Sequence, residues 1–212
     1  MFDNLQKHLD RWRYPLKEMS AERMTSIDPL ALWIAGKERE KKPAKLIFVC
    51  THNSRRSHMG QLWAQAAAYY VGLQQVQSYS GGTEETAFNP RAVRALQGHG
   101  FAISQSKKAA DNIRYKTQLG ESLPLVFGFS KKYDHPKNPQ NGFAVVMVCT
   151  QADVQCPYVP GAELRVALPY VDPKNSDGTA EEELVYQEKS EEIGREMLRL
   201  MLRAAQHSGL AL

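Results

Sequence analysis

From Ala44 onward the chain alternates between short apolar runs and amphipathic stretches, and this alternation constrains its fold more than any other feature. "KLIFVC" (Lys45–Cys50) is a continuous apolar run after its lysine, as expected of a strand covered on both faces. "SHMGQLWAQAAAYYVG" reads as a helix with Met59, Leu62, Trp63 and Ala66 on one face and Gly72 near its end. "VQSYS" is a second strand. "NPRAVRALQGHG" opens a helix with Asn89 as cap and Pro90 at the first helical position. "FAVVMVC" is a third strand, again ending on cysteine, and "AELRVALP" a fourth. The stretch from Thr179 to Gln206 is a long final helix, with Thr179 as its cap and Glu181, Glu182 and Glu183 at its positive end. Strands alternating with helices predict an α/β domain: a four-stranded parallel sheet between two helical layers, joined by right-handed crossovers.

Two segments lie outside that pattern. Residues 1–43 read as a helical extension before the α/β domain of residues 44–212. In it Leu5, Leu9, Trp12 and Leu16 recur at helical spacing, and a second helix begins with Asp28 as cap and Pro29 at its first position. Residues 111–141 read as an insertion, a hairpin with strand-like runs either side of "LGESLP" followed by a polar loop.

The totals narrow the function. The chain has 212 residues and a formal net charge of +4, too mild for a nucleic-acid binder but suited to an anionic substrate. No apolar run is long enough to span a membrane, and the N-terminus has no apolar signal-peptide core, so the expected location is cytoplasmic. Metal ligands at recognisable spacing and a nucleotide-binding glycine motif are both missing, so no cofactor is expected. The three cysteines, Cys50, Cys149 and Cys156, are too few for a disulfide framework and read either as small buried hydrophobes or as reactive thiols.

"CTHNSRRS" (Cys50–Ser57) favours reactivity. Cys50 stands at the carboxyl end of the first strand, the edge where open α/β sheets bind ligands. The loop Thr51, His52, Asn53, Ser54 and Arg55 then runs into a helix N-terminus. Such a loop points backbone N–H groups inward, and the helix adds partial positive charge. Arg56 can grip two oxygens of a tetrahedral anion with its planar fork. The same field favours thiolate over thiol, and the Ser57 hydroxyl is placed to donate to the sulfur. These are the surroundings a nucleophilic Cys50 needs to attack a bound oxyanion.

The loop "CTHNSRRS" resembles the catalytic loop of the low-molecular-weight protein tyrosine phosphatases and of the arsenate reductases that share their fold. "YSGGTEETAFNPRAVRAL" resembles the segment after the second strand in the same family. The resemblance spans about Lys45 to Met201. It implies the low-molecular-weight phosphatase fold, Cys50 as nucleophile, Arg56 as oxyanion ligand, Asn53 holding the loop shape and Ser57 supporting the thiolate. The family usually has glycine at His52, many members have a second cysteine at Arg55, and many have glutamate at Gln61, where some arsenate reductases build a potassium site.

Departure of an oxygen from the attacked anion calls for a proton donor. Asp172, before Pro173 and after the fourth strand, matches the Asp-Pro pair that supplies the acid in the family; its ordinary alternative is a turn aspartate. Asp177 reads as turn chemistry, and Glu84 and Glu85 as surface. Cys149 and Cys156, seven residues apart, resemble the thiol pair of thioredoxin-coupled arsenate reductases. The resemblance implies a relay in which Cys149 displaces arsenite from a Cys50 adduct and Cys156 then takes over Cys149, presenting a disulfide to a thioredoxin-like reductant. Seven residues of helix rise about 10.5 Å, at about 1.5 Å each, whereas disulfide Cα atoms sit within about 7 Å, so a helical segment there must unwind. Two other readings stay open: a phosphatase acting on phosphate esters or phosphotyrosine proteins through a phosphocysteine, and a non-catalytic oxyanion-binding module.

Overall fold

The computed structural model describes residues 1–14, 19–107, 112–156 and 158–210. Leu16 of the first helical pattern, residue 111 at the start of the expected insertion, and the proline that follows Cys156 lie outside the described residues.

The alternating pattern folds as read. Strands β1 (Ala44–Cys50), β2 (Val76–Gly82), β6 (Phe143–Met147) and β7 (Ala162–Ala167) form one parallel sheet in the order β2-β1-β6-β7. In β1 only Lys45 is less than fully buried, and every residue of β6 is buried, as their unbroken apolar sequences require. The registers Cys50↔Gly82 and Val49↔Met147 bring the carboxyl ends of three strands level at one edge. Helices α3 (Arg56–Val71), α4 (Pro90–Gly98), α5 (Thr150–Gln155) and α6 (Glu182–Ser208) flank the sheet. Asn89 caps α4 through the Arg91 N–H, and α3 stops at Gly72, whose φ of 83° is the left-handed conformation.

A second, antiparallel sheet is built from β3 (Ala102–Lys107), β4 (Arg114–Gln118) and β5 (Val126–Gly128). The β4–β5 pair is the hairpin expected around "LGESLP". Strand β3 joins it from outside the expected insertion. Its sequence hides it, because Ile103 is buried while Ser104, Gln105 and Ser106 face solvent.

The N-terminal helices are α1 (Asp3–Arg13) and α2 (Ala21–Arg39). Helix α2 begins seven residues before the expected Asp28 cap, which corrects that boundary. Ser20 caps it by accepting from the Arg23 N–H at 3.2 Å, and Pro29 lies inside the helix. Asp28 instead forms an ion pair with Arg203 of α6 at 2.6 Å. The cap of α6 is likewise Glu181 rather than Thr179, whose carbonyl accepts from the Glu182 N–H one turn earlier. No described helix is long and apolar enough to cross a membrane.

Helix α1 docks through aromatic contact. Trp12 lies 5.0 Å from Trp63 of α3, centroid to centroid, and Trp63 donates its indole N–H to Ser190 of α6 at 3.0 Å. Gly194 makes room for both rings: a Cβ there would lie 2.8 Å from Trp12 and 2.8 Å from Trp63. Gly194→Ala is expected to destabilise the protein by about 1–3 kcal/mol through overpacking, read as a lower urea midpoint with an unchanged slope.

Candidate active site

The loop after β1 has its carbonyls turned outward and occupied. The Cys50 carbonyl accepts from the Thr83 N–H, that of Thr51 from the Glu84 N–H, and that of Ser54 from the Asn89 N–H. The His52 carbonyl accepts from the hydroxyls of Thr86 and Ser130 at 2.9 and 3.0 Å. Among the described residues, no backbone N–H from Thr51 to Arg55 donates to another protein group. A row of unused donors at the mouth of a helix N-terminus is an oxyanion cradle. Gly82 permits this approach, since a Cβ there would lie 2.6 Å from the Thr51 carbonyl oxygen and 2.7 Å from the Asn53 nitrogen.

Asn53 fixes the turn. Its φ of 43° is left-handed, a conformation asparagine tolerates better than most residues. Its side-chain amide donates to Ser57 Oγ at 2.9 Å and accepts from the Lys131 N–H at 2.9 Å. Ser57 Oγ in turn lies 3.1 Å from Cys50 Sγ. The thiol is 3% exposed.

The two arginines diverge. Arg56 donates to the Tyr170 carbonyl at 2.9 Å and to Asp172 Oδ2 at 2.5 Å, which joins the expected oxyanion ligand to the expected acid. Arg55 donates to the Tyr186 hydroxyl at 2.5 Å and to Asp177 Oδ2 at 3.0 Å, so its side chain anchors the segment that follows Asp172. This gives Asp177 a partner rather than mere turn chemistry. Burial alone would raise the Asp177 carboxyl, but the Tyr186 hydroxyl, Arg55 and Arg91 hold it below the usual range. Burial, joined by Asp177, pushes Tyr186 up to about 12. His52 turns outward, with Nε2 3.5 Å from Glu84, so the loop uses its carbonyl rather than its ring. Gln61 donates to the carbonyls of Ser78 and Phe127.

The other two thiols bracket α5. Cys149 caps its N-terminus, accepting from the Ala152 N–H at 3.3 Å, and its Sγ lies 3.5 Å from the Thr51 hydroxyl. Cys156 caps the other end and is buried. Burial pushes the Cys156 thiol up; Arg165 opposes this and Cys149 adds to it. Arg165 of β7 grips the helix by donating to the carbonyls of Asp153 and Cys156 at 2.6 and 3.1 Å. Neither Arg165 nor Tyr186 carried a sequence signal: each is an isolated polar residue in an otherwise ordinary strand or helix. All three cysteines are free thiols. Among the described residues, no group of three or more His, Cys, Asp or Glu could hold a metal ion.

A buried thiol beneath a ring of free donors is the arrangement that a cysteine-dependent enzyme of tetrahedral oxyanions requires. Residues 45–119 match the low molecular weight phosphotyrosine protein phosphatase family. An arsenate reductase of Halalkalibacterium halodurans is 30% identical over 71% of this chain and 89% of its own length. An arsenate reductase of Bacillus subtilis is 29% identical over 72% and 91%. The crystal structure of a low molecular weight phosphotyrosine phosphatase from Vibrio cholerae superposes with a TM-score of 0.52, covering 79% of this chain and 99% of that one at 15% identity. The chain therefore belongs to the low molecular weight phosphotyrosine protein phosphatase family, in the branch that contains arsenate reductases.

Two measurements follow from the loop. Asn53→Ala removes both side-chain bonds and leaves buried groups unpaired, for an expected loss of about 2–4 kcal/mol in urea unfolding. His58 is fully buried, stacked on Phe88 at 3.8 Å and bonded to Ser80, and burial, with Lys131, lowers its pKa well below the usual value. It must remain neutral in the folded chain, so its contribution to stability is present above about pH 6.5 and lost progressively as pH falls below it. His58→Gln should flatten this part of the stability–pH curve, whatever it does to the stability at pH 8.

Proposed function

We propose that the protein reduces arsenate to arsenite by a relay of its three thiols. The observation that carries this reading is their order in space: Cys50 at the base of a donor-lined loop, Cys149 beside Thr51 of that loop, and Cys156 at the far end of α5. Arsenate binds the free N–H groups of the loop and the Arg56 fork. Arg56 then exchanges its bond to Asp172 for bonds to the anion, and Asp172 is freed to face the departing oxygen. The Cys50 thiolate attacks arsenic, an As–O bond breaks, and Asp172 supplies the proton that leaves with the oxygen as water.

Cys149 thiolate then attacks Cys50 Sγ. The sulfur–sulfur bond forms, the sulfur–arsenic pair of electrons stays on arsenic, and As(V) leaves as As(III). Cys156 attacks Cys149, which releases Cys50 as thiolate and leaves a Cys149–Cys156 disulfide. The two thiols sit at opposite ends of α5, so this last step requires the helix to unwind and Arg165 to release it. A thioredoxin-like reductant closes the cycle. Val154 and Tyr158, 73% and 77% exposed beside Cys156, offer it apolar surface.

Phosphate-ester hydrolysis is the second reading, favoured by the family match over residues 45–119, and it uses the same Cys50, Arg56 and Asp172 without the other thiols. One experiment separates them. Fully reduced protein given arsenate and no reductant should release about one arsenite per chain and acquire a Cys149–Cys156 bond by mass mapping. Cys149→Ser should release none. Three free thiols and no arsenite would sink the relay, and turnover of a phosphate ester by Cys149→Ser would then establish the phosphatase. Anion binding without either turnover would leave a binding module.

A further inference from the structure

A cavity of about 610 Å3 opens between α3, β2 and the antiparallel sheet, and shares no residue with the Cys50–Ser57 loop. Its charge is one-sided. Arg114, Lys131 and Lys137 line it, and among the described residues no aspartate or glutamate does. Lys131 is 3% exposed, yet no carboxylate pairs with it among the described residues. Its ammonium lies 4.8 Å from the centre of the Phe129 ring, and the Arg114 guanidinium lies 4.8 Å from the same centre. Two cations thus contact one aromatic ring, and among the described residues neither has a carboxylate partner. A buried ammonium without an anion is costly, and burial lowers the Lys131 pKa to about 8. The rest of the lining is rich in aromatic rings, among them Tyr115 and the half-exposed Phe127. The volume falls in the range of clefts that bury a small organic ligand.

We propose that this cavity binds a small anion carrying a flat aromatic ring, with its carboxylate against Lys131 and Arg114 and its ring against Leu125 and Phe127, which line the cavity from one face of β5. The anion supplies a counter-charge to the two cations, and the ring replaces water against apolar walls. The site is separate from the thiols but adjoins their loop from behind: the Lys131 N–H donates to Asn53 Oδ1 at 2.9 Å, and its carbonyl accepts from the Gly82 N–H at 2.9 Å.

The test is calorimetric titration of the reduced full-length protein with 2-naphthoate and, as its uncharged counterpart, 2-naphthamide. The acid should bind one site, and the amide roughly tenfold or more weakly. Lys131→Met should shrink the difference several-fold. Arg114→Gln, at an exposed position that does not threaten folding, should weaken the acid several-fold and leave the amide unchanged. Amide NMR shifts on adding naphthoate should centre on Leu125 and Phe127. Equal affinity for acid and amide, no binding of either, or shifts confined to Thr51–Ser57 would each overturn the assignment.

Discussion

Asn53 holds a left-handed backbone with both ends of its amide engaged, one on Ser57 and the other on the Lys131 N–H. Around that pivot the loop carbonyls face outward to Thr83, Glu84, Thr86, Ser130 and Asn89, and the N–H groups face inward. The order of cause matters. The outer layer satisfies the acceptors, so the donors are left over at the centre, and the proposed oxyanion site is the remainder of a hydrogen-bond account that otherwise closes. Cys50 needs no special contact beyond Ser57 to sit at its base, since the register of β1 against β2 and β6 sets its position.

The residues beyond the family match reach the same site through a chain of polar contacts. Arg23 of α2 donates to Glu196 of α6 at 2.8 Å, and the Tyr170 hydroxyl donates to the same carboxylate at 2.6 Å. The Tyr170 carbonyl then accepts from Arg56. Arg23 also stacks on the Tyr170 ring at 4.7 Å. The N-terminal helices are therefore more than a flank. Helix α2 braces the segment that carries Asp172, while Arg55 and Tyr186 brace its other end through Asp177.

Much of this was legible in the sequence where one local signal had one meaning. "KLIFVC" could only be a buried strand, and "NP" before an amphipathic stretch fixed the start of α4. The loop was readable because its residue types and its place between strand and helix agree. Signals failed where tertiary partners outweighed local preference. Asp28-Pro29 looks like a helix start, yet Arg203 takes the aspartate and good helix formers from Ala21 onward extend the helix past the proline. Thr179 lost its capping role because the chain makes one more turn before α6. The partners of Arg55, Arg165 and Lys131 lie 122, 12 and 78 residues away, beyond any periodic pattern.

Helix α5 is a spacer as well as a carrier of thiols. While it stays wound, its rise keeps Cys149 and Cys156 from meeting, and the two bonds from Arg165 tie its last turn to β7. β7 is an edge strand whose inner side is fixed to β6 by the register Val146↔Val166. The tether thus ends on a part of the sheet that does not have to move. Under the proposed relay, reduced and oxidised chains would differ in the shape of this one short segment, and a reductant that inspects only that segment would read the redox state of the thiols.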